Sequence, residues 1–294
     1  MRFATADRAH DRECHFSYKY GTIEAENALQ TQSHLVTERY IQELFALTGR
    51  RALITGSTQG IGYVIAQGIG RAGAKVLLNG RDVAKLNAAV ARLREGAVEA
   101  DGVCCDVTDP QQVESYIGAI EDHTGPIDIL VNNAGIQRRQ PLEAFPVESW
   151  REIMRTNLDS VFFVSQAVAR RMIKRGSGKI INIASLQSEM ARPGIAPYTA
   201  SKGAVRNLTK GMCADWARYG LQINAIGPGY FDTPMNKALV EDPSFDEWLR
   251  KRTPAGRWGR LEELQGAAIF LASKASDFVN GHTIYVDGGV LAVI

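Results

Sequence analysis

Short apolar runs alternate along this chain with longer segments whose apolar positions recur at helical spacing. The runs Arg51–Thr55, Lys75–Asn79, Val103–Asp106, Ile127–Asn132, Lys179–Ala184, Gln222–Ile226 and His282–Val286 predict strands. Several are apolar almost throughout, as strands covered on both faces are. Helical patterns over Ile61–Arg71, Val83–Arg94, Gln111–Asp122, Trp150–Lys174 and Tyr198–Tyr219 separate them. This alternation predicts an α/β fold: a doubly wound seven-stranded parallel sheet with helices on both faces, joined by right-handed crossovers, in a single domain over residues 46–294. Ligands of such sheets sit beyond the carboxyl ends of the strands. Thr55, Asn132 and Ser185 fall at such ends.

The first strand empties into Gly56-Ser-Thr-Gln-Gly60-Ile-Gly62, ahead of an apolar helix. Glycines let a backbone turn tightly and approach a pyrophosphate, while the free amides and dipole of a helix start favour negative charge. A second constellation pairs Tyr198 with Lys202, one helical turn apart on one face. An ammonium there favours tyrosinate over a phenol that otherwise titrates near pKa ~10. Ser185, at the end of the fifth predicted strand, can share one substrate oxygen with Tyr198. Two hydrogen bonds on that oxygen are what moving a proton to or from an alcohol requires. The expected chemistry is oxidation of an alcohol or reduction of a ketone.

From about Leu47 onward the chain resembles the short-chain dehydrogenase/reductase family. The features that carry the resemblance follow in order: Thr55-Gly-x-x-x-Gly-x-Gly62, Asp106-Val107, Asn132-Asn-Ala-Gly135, Asn157, Ser185, Tyr198, Lys202, Gly227-Pro-Gly229 with Thr233, and Val286-Asp-Gly-Gly289. The resemblance implies a Rossmann-type fold and a nicotinamide dinucleotide. Its pyrophosphate would lie against Thr55, Gly56, Ser57, Gln59, Gly60, Ile61 and Gly62, and its adenosine against Asp106, Val107, Asn133, Ala134 and Gly135. Gly229 and Thr233 would flank the nicotinamide, with Tyr198 and Lys202 at its ribose. Ser185, Tyr198, Lys202 and Asn157 would form the catalytic set, Asn157 holding water in a proton relay. A homotetramer is the family's usual assembly.

After the second strand the chain reads Asn79-Gly-Arg-Asp82, with no carboxylate where an NAD-preferring relative would carry one. Arg81 can pair with a 2′-phosphate, so NADP is expected, and Asp82 reads as the cap of the next helix. Gln59 stands where many NADP users carry a second basic residue, which leaves NAD use open.

Further segments resemble sugar-acid dehydrogenases within the family, among them Asn132-Asn-Ala-Gly-Ile-Gln-Arg-Arg139, Gln187-Ser-Glu189 and Arg252-Thr-Pro-Ala-Gly256. A linear sugar acid calls for a fixed cation and several hydrogen-bonding side chains. Arg138 or Arg139 can supply the cation, and Gln187, Ser188 and Glu189 can bind hydroxyls beside Ser185 and Tyr198. Tyr230 and Trp258 can wall the pocket, and residues 234–251 can cover it as a lid. The alternatives are another sugar-acid reductase, a 3-oxoacyl-thioester reductase, and a cofactor-binding regulator without turnover.

Composition narrows the setting further. At 294 residues, 45% apolar and a formal charge of +2, the chain is too balanced to suggest nucleic acid or an anionic membrane as partner. No apolar run reaches the ~20 residues of a membrane span. Cys14, Cys104, Cys105 and Cys213 show no metal-ligand spacing, and adjacent strand cysteines face opposite ways, so no metal and a reducing cytoplasm are expected. Residues 1–45 read as a flexible extension, or as sequence upstream of a true start near Val36.

Overall fold

The computed structural model describes residues 37–294. Residues 37–45 are helical, with Arg39 paired to Glu43 one turn on at 3.0 Å. The rest of the expected extension, Val36 included, lies outside the described residues.

The sheet is the expected one, seven parallel strands: β1 (Arg51–Ile54), β2 (Lys75–Gly80), β3 (Ala100–Cys104), β4 (Ile129–Asn132), β5 (Gly178–Ile183), β6 (Leu221–Pro228) and β7 (Thr283–Val286). Their order is β3-β2-β1-β4-β5-β6-β7. Every residue of β4 and β5 is buried, which their apolar runs require of strands covered on both sides. Side chains alternate between two cores. Ala52, Ile54, Val76, Leu78, Ile129 and Val131 pack with α1 (Gly60–Arg71), α2 (Val83–Glu95) and α9 (Gln265–Ala272). Leu53, Leu77, Leu130 and Ile180 face the other way, onto α3 (Pro110–Thr124), α5 (Ser160–Arg175) and α6 (Ala196–Trp216). The one-residue alternation of the pleat thus sorts one sequence into two apolar layers.

Three elements depart from the sequence reading. β3 lies upstream of the predicted run, because its register with β2 pairs Val76 with Ala100 and Gly80 with Cys104. The helix expected over Trp150–Lys174 is instead α4 (Val147–Met154), a π turn (Arg155–Asp159) and α5. α9 went unpredicted; its run Gln265–Ala272 is apolar with little periodic contrast. Asp82 caps α2 as expected, its carboxylate accepting from the Lys85 amide at 3.0 Å.

A buried polar chain ties the sheet to the helices that carry the site. The Asn132 side-chain amide donates to Ser165 Oγ and Asn182 Oδ1, both at 2.8 Å. The Asn182 amide in turn donates to Thr209 Oγ1 at 2.9 Å. β4, β5, α5 and α6 are thereby held in one arrangement by hydrogen bonds shielded from water, with Asn132 Oδ1 alone of these side-chain atoms left buried without a partner among the described residues. Replacing Asn182 by Ala should leave one of the two Asn132 amide hydrogens without an acceptor, the other staying on Ser165. The expected loss is about 2–3 kcal/mol in urea denaturation at fixed protein concentration; a loss under ~0.5 kcal/mol would show that the chain carries little stability.

Candidate active site

The strand order reverses between β1 and β4, and a crevice must open beyond their carboxyl ends. Thr55 closes its base: its Oγ1 accepts from the amides of Asn133 at 2.9 Å and Ala134 at 3.0 Å. The Asn133 side chain answers by donating to the carbonyls of Thr55 and Gly56, at 3.0 and 2.9 Å. The turn after β1 therefore lies flat on the loop after β4. Gly56 sits at φ +59°, and a Cβ there would stand 2.8 Å from Ala134 Cα. Beyond the turn, α1 begins at Gly60 with no side-chain cap from Gln59, so its first amides lack that partner.

A cleft of about 350 Å³ extends from this turn. Of the residues expected at a dinucleotide, Gly56, Gln59, Ile61, Arg81, Asp106, Val107, Asn133, Ala134, Gly135, Tyr198, Lys202, Gly229 and Thr233 line it. Thr55, Ser57, Gly60 and Gly62 do not; they shape the wall from behind. Ser57 is fully buried, donating to the Ile54 carbonyl at 2.7 Å and accepting from the Asn79 amide at 3.0 Å. It locks the turn to β2. Asn79, which sequence reasoning passed over, also lines the cleft, its Oδ1 accepting from the Gly56 amide at 3.3 Å. A lone amide at the end of an apolar strand was the available signal.

At the adenosine end, Gly80 lies close under Thr58: a Cβ there would stand 2.6 Å from Thr58 Cγ2, so the threonine methyl would have to turn aside. The next residue, Arg81, is exposed, with its guanidinium 3.6 Å from Asp106. Burial opposes ionisation of Asp106, yet hydrogen bonds from the Thr108 amide and hydroxyl, with the Arg81 charge, hold it below the usual carboxylate range. The turn, the helix start and this cationic rim fit a dinucleotide bearing a 2′-phosphate.

At the other end, Ser185 caps the short turn Leu186–Ser188, its Oγ accepting from the Gln187 amide at 3.1 Å. Tyr198 lies on the first turn of α6, facing Ser185, and Lys202 follows one turn later. Burial pushes the Tyr198 phenol above its ordinary range; the adjacent Ser185 hydroxyl and the Arg139 charge pull it partly back. Lys202 Nζ donates to the Ile183 carbonyl at 2.6 Å and stands 5.8 Å from the Tyr198 ring centre. Burial lowers Lys202 to about 8. The tyrosinate bias expected from Lys202 is outweighed in this state, because desolvation acts on both groups against their charged forms. Asn157 lies in the π turn, fully buried and outside the cleft lining. Its Oδ1 accepts from the Ile136 amide at 2.8 Å, and its Nδ2 donates to the Ile136 carbonyl at 2.9 Å and to Ser201 Oγ at 3.1 Å. It fixes the β4 loop to α6 beside Lys202.

The expected substrate ligands divide. Gln187 lines the cleft, and its Oε1 is buried without a hydrogen-bond partner among the described residues. Ser188 instead donates to the Lys202 carbonyl at 2.9 Å. Arg138, Arg139 and Glu189 stand outside the lining. Arg138 pairs with Glu152 at 3.0 Å, and Arg139 reaches the Met235 carbonyl at 3.3 Å and Asn236 Oδ1 at 3.2 Å. Glu189 is held by Arg206 and by the Tyr285 hydroxyl, both at 2.8 Å, so it serves packing and not the cleft. Arg192, which sequence reasoning missed, lines the cleft. The signal was a cation in the loop between Ser185 and Tyr198.

The expected lid contains α7 (Lys237–Val240) and α8 (Pro243–Arg252). Its Phe245 and Trp248 pack edge-on or tilted around Tyr230 with Trp258, at ring separations of 5.7, 6.1 and 6.0 Å from Tyr230. Trp258 donates its indole N–H to Asp246 at 2.7 Å. Of these rings only Tyr230 lines the cleft; Trp258, expected as wall, packs behind it with Phe245 and Trp248.

Lys202 supplies a test of the burial argument. Its folded value of about 8 lies below the ~10.4 of a free lysine, so between those pH values the unfolded chain binds a proton that the folded chain does not. Stability of the parent should therefore rise with pH across that window relative to Lys202→Met, by up to about 3 kcal/mol at ~1.4 kcal/mol per unit. A pH-independent difference in denaturation free energy would refute the depressed value.

Comparison with known proteins bears on the same residues. A family profile described as enoyl-(acyl carrier protein) reductase matches residues 56–291. The gluconate 5-dehydrogenase of Gluconobacter oxydans (strain 621H) is 58% identical over 248 residues, 84% of this chain and 97% of that protein. The 5-keto-D-gluconate 5-reductase of Escherichia coli (strain K12) is 51% identical over 254 residues, 86% of this chain and 100% of that protein. The crystal structure of a gluconate 5-dehydrogenase from Burkholderia cenocepacia J2315, in complex with NADP and tartrate, matches with a TM-score of 0.85 at 59% identity, covering 86% of this chain and 100% of that one.

Proposed function

Because this chain belongs to the short-chain dehydrogenase/reductase family, we infer that it is an oxidoreductase catalysing the NADP-linked, reversible oxidation of D-gluconate at C5 to 5-keto-D-gluconate. The observation that carries this reading is the high identity to gluconate 5-dehydrogenases over nearly their whole length. The site chemistry supports it. Gln187, Arg192 and Tyr230 at the substrate end suit a polyhydroxy acid, whereas a 3-oxoacyl thioester needs an apolar channel. A 2-deoxygluconate 3-dehydrogenase or another short-chain reductase is the alternative that a substrate panel separates.

The dinucleotide, when bound, supplies the hydride acceptor or donor. Gly56, Gln59, Ile61, Arg81, Asn133, Ala134, Gly135 and Thr233 would hold it. In oxidation the Tyr198 oxygen takes the C5 hydroxyl proton as the C5 hydrogen leaves as hydride; in reduction the phenol returns a proton to the forming alkoxide. Ser185 steadies the reacting oxygen, and the Lys202 charge supports the tyrosinate that results. Gly80 supports the NADP assignment, since the position from which a carboxylate would bind a 2′-hydroxyl and repel a phosphate carries no side chain. A cytoplasmic homotetramer completes the reading. The tetramer is the family's usual assembly, and the free thiols Cys104, Cys105 and Cys213 fit a reducing compartment. No helix among the described residues is long and apolar enough to cross a membrane. A monomer in light scattering, or recovery from membranes, would overturn that last part.

Absorbance of reduced nicotinamide should fall with NADPH and 5-keto-D-gluconate and change far less with 2-keto-D-gluconate or an acetoacetyl thioester. Turnover of the thioester alone would replace the substrate assignment. Arg81→Ala should raise the NADPH KM by about 10- to 100-fold with little change for NADH, the scale of a lost charge-assisted contact. Equal effects on both cofactors would remove Arg81 from phosphate recognition. Tyr198→Phe should keep NADPH binding and lose ~10²–10⁴ in kcat; turnover near the parent rate would overturn the proton assignment.

A further inference from the structure

One cation on the cleft wall has no counter-charge. Arg192, in the loop before α6, lines the cleft and is partly buried, and it makes no ion pair or hydrogen bond among the described residues. Its guanidinium instead lies over the Phe245 ring of α8, 5.4 Å from the centre. The cations near it are otherwise engaged. Arg139 reaches the Met235 carbonyl and Asn236 at 3.3 and 3.2 Å, and Arg252, which does not line the cleft, reaches the Val293 carbonyl at 3.1 Å.

A guanidinium left open on a cleft wall is a ready partner for an anion that enters the cleft. Its five N–H donors in a planar fork match a carboxylate. The same stretch of wall holds Gln187 Oε1, a buried acceptor with no donor, of the kind a substrate hydroxyl satisfies. Tyr230, which lines the same end, feels the Arg192 charge and lies beside Gln187. A vacant fork and a vacant acceptor on one wall ask for a molecule carrying both a carboxylate and hydroxyls.

We propose that Arg192 grips the carboxylate of the sugar acid, with Gln187 Oε1 accepting from one of its hydroxyls, and that this grip is what separates sugar acids from neutral sugars. The inference rests on the functional reading above and names the residue that sets its substrate class. It also links substrate to lid. The face of the guanidinium rests on Phe245 while its edge takes the carboxylate, so the bound acid and the aromatic cluster of α8 share one side chain.

The test uses the full chain with NADPH and two ketones that differ only at the end in question: 5-keto-D-gluconate and L-sorbose, in which a hydroxymethyl group replaces the carboxylate. In Arg192→Gln, kcat/KM for the acid should fall about 30- to 100-fold, mainly through KM, while that for L-sorbose changes less than ~3-fold. Arg192→Lys should recover part of the preference, since charge returns without the fork. NADPH binding, followed by its fluorescence, should be unaltered in both variants. An unchanged acid-to-neutral ratio overturns the inference while leaving the activity in place. So does loss of the acid preference in Arg139→Gln but not in Arg192→Gln, or a fall confined to kcat. A parent protein inert toward 5-keto-D-gluconate overturns the functional reading and this inference with it.

Discussion

The Thr55 hydroxyl holds the two halves of the sheet in the register on which the cleft depends. By accepting two amides from the loop after β4, it sets the distance between the strand ends where the winding reverses. Asn133 repeats the tie in the opposite direction. Only with these four hydrogen bonds in place does the glycine turn approach Ala134 closely enough that a methyl group at residue 56 would collide. The floor of the site is thus a consequence of pairing β1 beside β4, and the residues that make it are spent on each other and not on a ligand.

That division explains how much of the site was legible. Motif spacing picked out Gly56, Gln59, Ser185, Tyr198 and Lys202, all of which line the cleft, because these positions lie within a few residues of one strand end or one helix turn. It did not separate residues that line the cleft from residues that shape it, so Thr55 and Ser57 were grouped with the cofactor contacts and Asn157 with the catalytic set. Partners distant in sequence were harder still. Glu189 looked available for hydroxyls because Arg206 and Tyr285 are remote along the chain. Arg138 looked free because Glu152 lies across the loop. Arg192 was overlooked for the opposite reason: nothing in its neighbourhood of sequence says that it will be left unpaired.

The fold itself was readable wherever burial on two faces wrote long apolar runs, and less so where it did not. β3 begins with Ala100, Asp101 and Gly102, and its place comes from the register with β2 instead of from its own composition. The π turn offsets the apolar pattern by one residue, and over five residues between two helical stretches that offset is too short to read as a break. Burial also decides the electrostatics of Tyr198 and Lys202. Both are shifted toward their neutral forms, so the proton device sits in a water-poor setting where a newly arriving charge acts strongly.

The contact between residue 80 and Thr58 has a consequence for how this protein can change over generations. A carboxylate at position 80 would exchange one dinucleotide preference for the other, but its first carbon would arrive 2.6 Å from the threonine methyl. The threonine must yield, either by turning its methyl aside or by losing it, as Thr58→Ser would. The path between the two cofactor pools therefore runs through residue 58 as well as residue 80, and a serine at 58 makes an acid at 80 easier to acquire.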